Sequence, residues 1–243
     1  MQFDILYRDE DVVAIQKPSG WFVHQTDLDR SASSCMPVLR DQLGQWVYPV
    51  HRLDRGTSGA LLFALSSEMA RELGAGFASR QVSKTYLALV RGYLPKEGQV
   101  DFAYCPPDSD DPVEAVTDFQ CLGTVELPHA VGRYDTARYS LMRAMPITGR
   151  QHQIRRHCAH LRHPIVGDVR YGDRHHNQFF QTHFNIHRLL LMATRLSFEH
   201  PSTGEHVEIQ APVPSAIQRL FQQFGWGNAI GDNASHYPSS NGN

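Results

Sequence analysis

The sequence lacks the features that mark secreted, membrane-spanning or redox proteins. It has only four cysteines in 243 residues and no CxxC pair, so neither a disulfide framework nor a zinc ribbon is indicated. No apolar run approaches the roughly 18 residues that cross a bilayer, and an early acid, Asp4, lies where a secretory signal has a basic run. Glycine-rich nucleotide-binding loops are also missing. We therefore expect a soluble, cytoplasmic protein that uses neither a cofactor nor a metal.

The composition is typical of a globular domain. Hydrophobic residues make up 41% and charged residues 20% of the chain, which excludes a disordered or fibrous protein. The length fits one domain with a substantial core. From Gly227 onward the chain is rich in Gly, Asn and Ser and contains neither Lys nor Arg. We expect one domain over residues 1–226 and a disordered tail over residues 227–243.

Hydrophobic patterning predicts more strand than helix. Short apolar, β-branched or aromatic runs predict strands at residues 3–7, 12–16, 60–65, 84–90, 138–145, 188–198 and 206–210. Apolar residues at helical spacing predict helices after Ser66, over residues 151–161 and from Pro214. Because most strands follow one another in hairpin-like sequence, we predict an α+β fold with a mixed, mostly antiparallel sheet flanked by helices and loops.

Charge is segregated along the chain, although the net charge is only -2. Eight acids and neither Lys nor Arg lie between Glu97 and Gly132. Seven arginines and two acids lie between Arg143 and Arg174. The first stretch repels phosphate and the second attracts it. On charge alone, a nucleic-acid interface and two solvated faces of opposite sign are equal alternatives.

Asp54 is the first candidate for a reactive group. It lies in the segment from His51 to Gly59, whose Gly, Thr and Ser residues build tight, hydrogen-bonded loops. The neighbouring guanidinium groups of Arg52 and Arg55 favour the ionised carboxylate. A persistently charged carboxylate on a rigid loop could be a nucleophile toward a sugar carbon. A structural ion pair would explain the same pattern.

A second polar segment runs from Thr148 to His157. Its arginines could hold phosphates or pair with a carboxylate from elsewhere in the chain. Metal binding is the weaker alternative, because His152 and His157 are five residues apart with no acid between them.

Tyr86 lies in a predicted strand whose other members are mostly apolar, which is typical of a half-buried core tyrosine. It could instead stack on a base. Its hydroxyl would then offer an acid–base group with an ordinary pKa of about 10.

Four motifs, taken together, resemble those of the RluA-type pseudouridine synthases. They are His51-Arg52-Leu53-Asp54-Arg55-x-Thr57-Ser58-Gly59, Lys84-x-Tyr86-x-Ala88, Thr148-Gly149-Arg150-x-His152-Gln153-Ile154-Arg155 and His163-Pro164-Ile165-x-Gly167-Asp168. The resemblance extends from about Phe3 to Trp226 and leaves no room for an added N-terminal RNA-binding domain. It implies the pseudouridine synthase fold, with a central catalytic cleft, and the isomerisation of uridine to pseudouridine in RNA.

Within this family the sequence most resembles the synthases that modify uridine 65 of certain tRNAs. Lys17-Pro18-Ser19-Gly20-Trp21, Gly132-Arg133-Tyr134 and Phe224-Gly225-Trp226 support this narrower match. A synthase acting on ribosomal RNA is the main rival within the family. A non-catalytic RNA-binding module and a His-rich metal hydrolase are the alternatives from other classes. The implied partner is tRNA or another structured RNA, bound by a monomer, with neither DNA nor a membrane involved.

The resemblance also implies roles for single residues. Asp54 would be the nucleophile, Arg155 its ion-pair partner and Tyr86 the aromatic group against the target base. A second set would bind the substrate: Arg52 in the space left by the flipped base, Leu191 near the uracil, and Arg55, Arg150, His152 and Arg156 around the RNA backbone. The chain has Met192 where the family usually has a histidine, so no histidine acts at that position.

Overall fold

A ten-stranded sheet is the framework of the structure, a computed structural model that describes residues 1–24, 33–106 and 110–231. Its strands are β1 (Ile5–Arg8), β2 (Val12–Lys17), β3 (Tyr48–Pro49), β4 (Ser58–Ala64), β5 (Ser83–Arg91), β6 (Glu97–Asp101), β7 (Val116–Leu127), β8 (Ala137–Pro146), β9 (Leu191–Glu199) and β10 (His206–Gln210). The main order is β1-β2-β4-β9-β5-β8-β7-β6, with β10 beside β9 and β3 beside β4.

Strands β4 and β9 meet near the middle of this sheet. Every residue of β4 is buried, as expected of a continuous apolar run in a strand that is covered on both faces. The pair is parallel, with Gly59 opposite Ala193. Gly59 has a φ of 118°, and a Cβ at this position would lie 2.0 Å from the Ala193 carbonyl oxygen, so the close approach requires glycine. The other paired strands within the described ranges are antiparallel, which confirms the predicted mixed, mostly antiparallel α+β sheet.

Six helices are seen in the described residues: α1 (Cys35–Leu43), α2 (Ser67–Ala78), α3 (Gln153–His160), α4 (Arg174–Phe184), α5 (Ser215–Gln223) and α6 (Gly227–Gly231). Helix α2 begins as predicted, because the Ser66 side chain accepts a hydrogen bond from the Met69 N–H at 3.1 Å. Helices α4 and α5 bury Phe180 and Phe221 in a cluster with Tyr139 of β8. Helix α3 buries Ile154 and Cys158 in another cluster with residues of β5 and β8, as its predicted apolar stripe requires.

The structure differs from the sequence prediction at several element ends. Strand β9 begins at Leu191 rather than at residue 188, because Arg188 lies in the loop before it. Pro214 is the residue preceding α5 rather than part of its first turn. The acidic stretch from Glu97 forms the antiparallel pair β6 and β7.

The first five residues of the predicted tail form α6. Trp226 fixes the start of this helix, because its ring is buried in the cluster of α4 and α5. Residues 232–243 lie outside the described part of the chain. Of the helices in that part, none has both the length and the apolar character needed to cross a membrane.

Candidate active site

Asp54 lies in the loop between β3 and β4, and a buried lysine fixes this loop. The side chain of Lys17 is fully buried, and its ammonium group donates to the carbonyl oxygens of Pro18, Arg55 and Thr57 at 3.0, 3.2 and 2.7 Å. The Thr57 N–H also donates to the Asp54 carbonyl at 3.1 Å. Burial lowers the pKa of Lys17 to about 8. The Asp54 loop is therefore held by a turn hydrogen bond and by an internal cation.

The Asp54 side chain is paired with Arg155 from helix α3. Nη1 of Arg155 donates to Oδ2 of Asp54 at 3.0 Å. The same guanidinium donates from Nε and Nη2 to the two carboxylate oxygens of Asp168, at 2.7 and 2.9 Å. Only 11% of the Arg155 side chain and 1% of the Asp168 side chain is exposed. Arg155 thus bridges two carboxylates, of which Asp168 has the larger number of bonds.

Electrostatics keeps this bridge charged. Burial disfavours the charge on Arg155, but hydrogen bonds and attraction from Asp168 and Asp54 outweigh it and raise the arginine's pKa. Burial also opposes ionisation of Asp168. Its bonds to Arg155 and to the N–H groups of Tyr171 and Arg170 nevertheless lower its pKa below the ordinary value.

His152 and Tyr171 complete the surroundings of Asp54. His152 precedes α3 with a left-handed φ of 57°, and its Nδ1 lies 3.1 Å from the Tyr171 hydroxyl. Its Nε2 is 3.9 Å from Oδ1 of Asp54, which is too long for a hydrogen bond. Burial is the main cause that lowers the pKa of His152. The guanidinium groups of Arg155 and Arg156 lie over the Tyr171 ring, at 5.2 and 5.4 Å from its centroid, so the tyrosine contacts both arginines and the histidine.

A cleft of about 530 Å³ opens on one side of Asp54. Tyr86 of β5 and Leu191 of β9 line it, because β5 and β9 are adjacent and pair Tyr86 with Ala193. Burial, and then the negative charge of Asp54, raise the pKa of Tyr86, so its phenol stays protonated near neutral pH. Asp54, Tyr86 and Leu191 thus line one cleft, in which a charged carboxylate lies beside aromatic and apolar side chains.

A larger cleft of about 1310 Å³ is lined by residues of the same loop. Both clefts are lined by Arg52, Leu53, Asp54, Gln151, His152 and Arg155. Arg52 is exposed and makes no hydrogen bond or ion pair with the part of the chain that the structure describes. Asp54 is therefore at the junction of two open spaces.

Some of the predicted site residues do not contact Asp54. Arg55 makes its contacts elsewhere: its Nε donates to the Gly20 carbonyl at 3.0 Å and its guanidinium lies over the Phe22 ring. Arg150 is exposed at the rim of the smaller cleft, and its Nε donates to the Glu114 carbonyl. The ion pair that Asp54 does make comes from Arg155, which is 101 residues away.

Arg156 and two histidines also have structural contacts. The Arg156 guanidinium lies 4.4 Å from the centre of the Tyr104 ring. His157 is buried and contacts Thr117 at 2.9 Å, so it points away from His152. Nε2 of His51 accepts from the Leu62 N–H at 3.0 Å, and burial lowers the pKa of His51 to about 3, which keeps its ring neutral.

Sequence reasoning gave no role to Lys17, Asp168 or Tyr171. The sequence shows Lys17 only as the first residue of Lys17-Pro18-Ser19-Gly20-Trp21, and Asp168 as one of two acids in a basic stretch. A signal was present for Asp168, because an acid among seven arginines is a natural partner for a buried guanidinium. Tyr171 lies in the same stretch, three residues later.

Comparisons with known proteins identify the family. The sequence model of a family described as RNA pseudouridylate synthase matches residues 11–160. The tRNA pseudouridine synthase C of Pasteurella multocida is 48% identical over 93% of this chain and 98% of its own length. The protein of that name from Pectobacterium carotovorum is also 48% identical, over 92% of this chain, which spans only 62% of the relative's length.

A solved structure supports the same assignment. Human RNA Pseudouridylate Synthase Domain Containing 1 superposes with a TM-score of 0.70 at 28% identity, over 88% of this chain and 84% of its own. The family predicted from the four motifs is thereby confirmed: the chain belongs to the RNA pseudouridylate synthases.

Proposed function

We propose that this chain converts uridine to pseudouridine in tRNA, at uridine 65, with Asp54 as the nucleophile. The observation behind this proposal is the position of the Asp54 carboxylate, which is fixed by Arg155 at the junction of two clefts. Its Oδ1 makes no hydrogen bond within the described residues. The names of the relatives in Pasteurella and Pectobacterium support tRNA as the substrate class.

The target nucleotide has to leave its stack to reach Asp54. We propose that the uracil occupies the 530 Å³ cleft, between the ring of Tyr86 and the side chain of Leu191. A protonated phenol suits this position, because it stacks on the base without adding a second negative charge beside Asp54. Arg52 lines both clefts and is free of protein partners in the described ranges, so it can occupy the gap left in the RNA.

The reaction rearranges atoms without adding or removing any. The bond between ribose C1′ and uracil N1 breaks, a bond between C1′ and C5 forms, the C5 proton leaves and N1 gains a proton. Asp54 can assist by attack on C1′, by attack on C6 or by promoting a glycal-forming elimination. All three routes use the carboxylate as an anion, and Arg155 is the cation that donates to its Oδ2.

Release of tritium from 5-tritiated uridine in tRNA transcripts tests this function directly. We expect release by the wild type and its loss in Asp54→Asn, which keeps the size of the side chain but not its charge. Asp118→Asn is the matched control, because Asp118 accepts a bond from Gln99 on β6 and lines neither cleft. Release by the control and not by Asp54→Asn is the expected pattern.

The choice of RNA separates the alternatives. An absence of release from any RNA would refute the enzyme proposal. Equal tRNA binding by wild type and Asp54→Asn without any release would favour a non-catalytic RNA-binding module. Release from a tRNA without uridine at position 65 would refute the narrower proposal. Release from ribosomal RNA alone would favour the rival synthase.

We further propose that the enzyme acts in the cytoplasm as a monomer, with one catalytic domain over residues 1–226. The continuous sheet from β1 to β10 and the packing of α5 in its core support one folding unit. Light scattering after gel filtration, with and without tRNA, measures the oligomeric state, and a dimer mass would contradict this part of the proposal.

A further inference from the structure

The larger cleft contains a cation that the proposed reaction does not use. Arg188 lines this cleft and is half-buried in the loop before β9. Its Nη2 donates to the Ser58 hydroxyl at 2.6 Å and its Nε to the Leu189 carbonyl at 3.2 Å. Nη1 has no hydrogen-bond partner among the described residues. The guanidinium is therefore fixed along one edge and open along the other.

The backbone around Arg188 is tightly packed. Gly167 has a φ of 80°, and a Cβ there would lie 1.9 Å from the Arg188 carbonyl oxygen. The Leu190 N–H donates to the Val166 carbonyl at 2.9 Å. These contacts hold the arginine in place before any ligand arrives, which lowers the entropic cost of binding one.

Among the described residues, no carboxylate forms an ion pair with Arg188. Asp54 and Asp168 line the same cleft, but both are bonded to Arg155. Asp4 is exposed on the lining that the N-terminal residues provide. Lys17 is a buried positive charge nearby. Its pKa is lowered mainly by burial, and repulsion from Arg188 contributes. All three bonds of the lysine go to carbonyl oxygens, so Arg188 is the one of the two that can still bind a ligand.

We propose that Arg188 binds a backbone phosphate next to the target uridine, so that the larger cleft holds the RNA strand that flanks the flipped nucleotide. This inference rests on the proposed function, because it takes RNA as the ligand. A planar guanidinium with one open edge suits the oxygens of a phosphate. Ser58 directly precedes Gly59 in β4, so a phosphate on Arg188 would lie beside the loop of Asp54.

Salt dependence of tRNA binding is the first test. We measure Kd as a function of salt for the wild type, Arg188→Gln and the control Arg71→Gln. Arg71 is exposed on α2, pairs with Glu68 and lines neither cleft. Loss of one phosphate contact should reduce the slope of log Kd against log salt by about 0.7–0.9 in Arg188→Gln. It should also raise KM by about tenfold with little change in kcat, and Arg71→Gln should match the wild type.

Neutral methylphosphonates at the two phosphates that flank the target uridine provide a second test. One of them should weaken binding to the wild type about tenfold and have no further effect on Arg188→Gln. An unchanged salt slope in Arg188→Gln, or a fall in kcat at unchanged KM, would overturn the proposal. If Arg188→Gln does not fold, the wild type still decides, because tolerance of both methylphosphonates also overturns it.

Tritium release by the wild type is recorded on the same RNA. Its absence is a failure of the proposed function. Release together with an unchanged salt slope in Arg188→Gln is a failure of the phosphate site alone.

Discussion

Replacement of Asp168 by asparagine tests the ion-pair bridge with the smallest change in shape. Asp168 accepts two bonds from Arg155 and two from the backbone N–H groups of Arg170 and Tyr171. An asparagine can keep its oxygen at Oδ1, where three of these donors converge. Its NH2 group then faces the Arg155 Nε–H, so a donor meets a donor in a site that is almost completely buried.

The cost can be bounded from these contacts. A lost hydrogen bond to a charged group costs about 1.5–3 kcal/mol, and breaking a buried ion pair costs about 3–5 kcal/mol. Arg155 keeps its bond to Asp54. We therefore expect the free energy of unfolding at pH 7 to fall by about 3 kcal/mol, the value at which the two ranges meet. The turnover rate should fall by about 10²-fold, because the Arg155 fork would no longer be fixed.

The pH dependence gives a second measure. The folded state lowers the pKa of Asp168, so the unfolded chain binds the proton more readily. The stabilisation is therefore complete above the unfolded pKa, about 4, and is lost as the pH falls toward the lower folded value. The difference in stability between wild type and Asp168→Asn should shrink over this acidic window.

Urea denaturation at neutral and acidic pH is the assay, and Asp41→Asn is the control. Asp41 also pairs with an arginine, Arg40, but 68% of its side chain is exposed, so its loss should cost at most about 1 kcal/mol. Equal urea midpoints for Asp168→Asn and Asp41→Asn at pH 7 would refute the argument from burial.

Two further predictions concern residues next to Asp54. Tyr171→Phe removes the contact with His152 and keeps the ring under Arg155, so it should cost about 0.5–1.5 kcal/mol of stability. Tyr171→Leu also loses the cation–π contacts and should cost more. Equal urea midpoints for the two variants would contradict a role for the ring. Lys17 has a folded pKa of about 8, below the unfolded value of about 10.4. The wild type should therefore gain stability relative to Lys17→Met as the pH rises between these values. A difference in the free energy of unfolding that does not change with pH would contradict the lowered pKa.

Hydrophobic patterning and capping residues predicted the strands and helices that carry a clear local signal. Strand β10 occupies the predicted residues, His206–Gln210, because turn residues precede a short run in which polar and apolar residues alternate. Helix α2 begins where Ser66 can cap it. Helix α4 was missed, although Asp173 caps it by accepting from the N–H groups of His175 and His176. Its histidine-rich sequence hides the apolar face formed by Phe179 and Phe180.

The acidic strands were missed for a different reason. In β6 only Val100 is buried, so the polar side chains of this edge strand point to solvent and give little hydrophobic signal. In β7 the alternation is broken near Gly123, where the register against β8 shifts. The acids between Glu97 and Gly132 predict a surface that repels phosphate. Some of them instead form ion pairs, such as Glu126 with Arg138.

The candidate site was only partly predictable, because it is assembled from distant parts of the chain. The Asp54 loop could be recognised locally, but its pairing with Arg155 came from the family resemblance. Neither signal revealed that Lys17 is buried beneath the loop, because a lysine next to a Pro-Ser-Gly turn is usually solvated. Burial at this site depends on the carbonyl groups of Arg55 and Thr57, which converge only in the folded chain.

The unequal sharing of Arg155 leaves its two carboxylate partners with different capacities to bind a ligand. Asp168 uses both oxygens in four hydrogen bonds, so it has little capacity left for a ligand. Asp54 accepts one bond from Arg155, through Oδ2, while Oδ1 lies 3.9 Å from the nearest histidine nitrogen. The guanidinium therefore fixes Asp54 through Oδ2 without occupying its second oxygen. In the proposed function, a substrate can therefore bond to Oδ1 of Asp54 while Arg155 stays bonded to Oδ2.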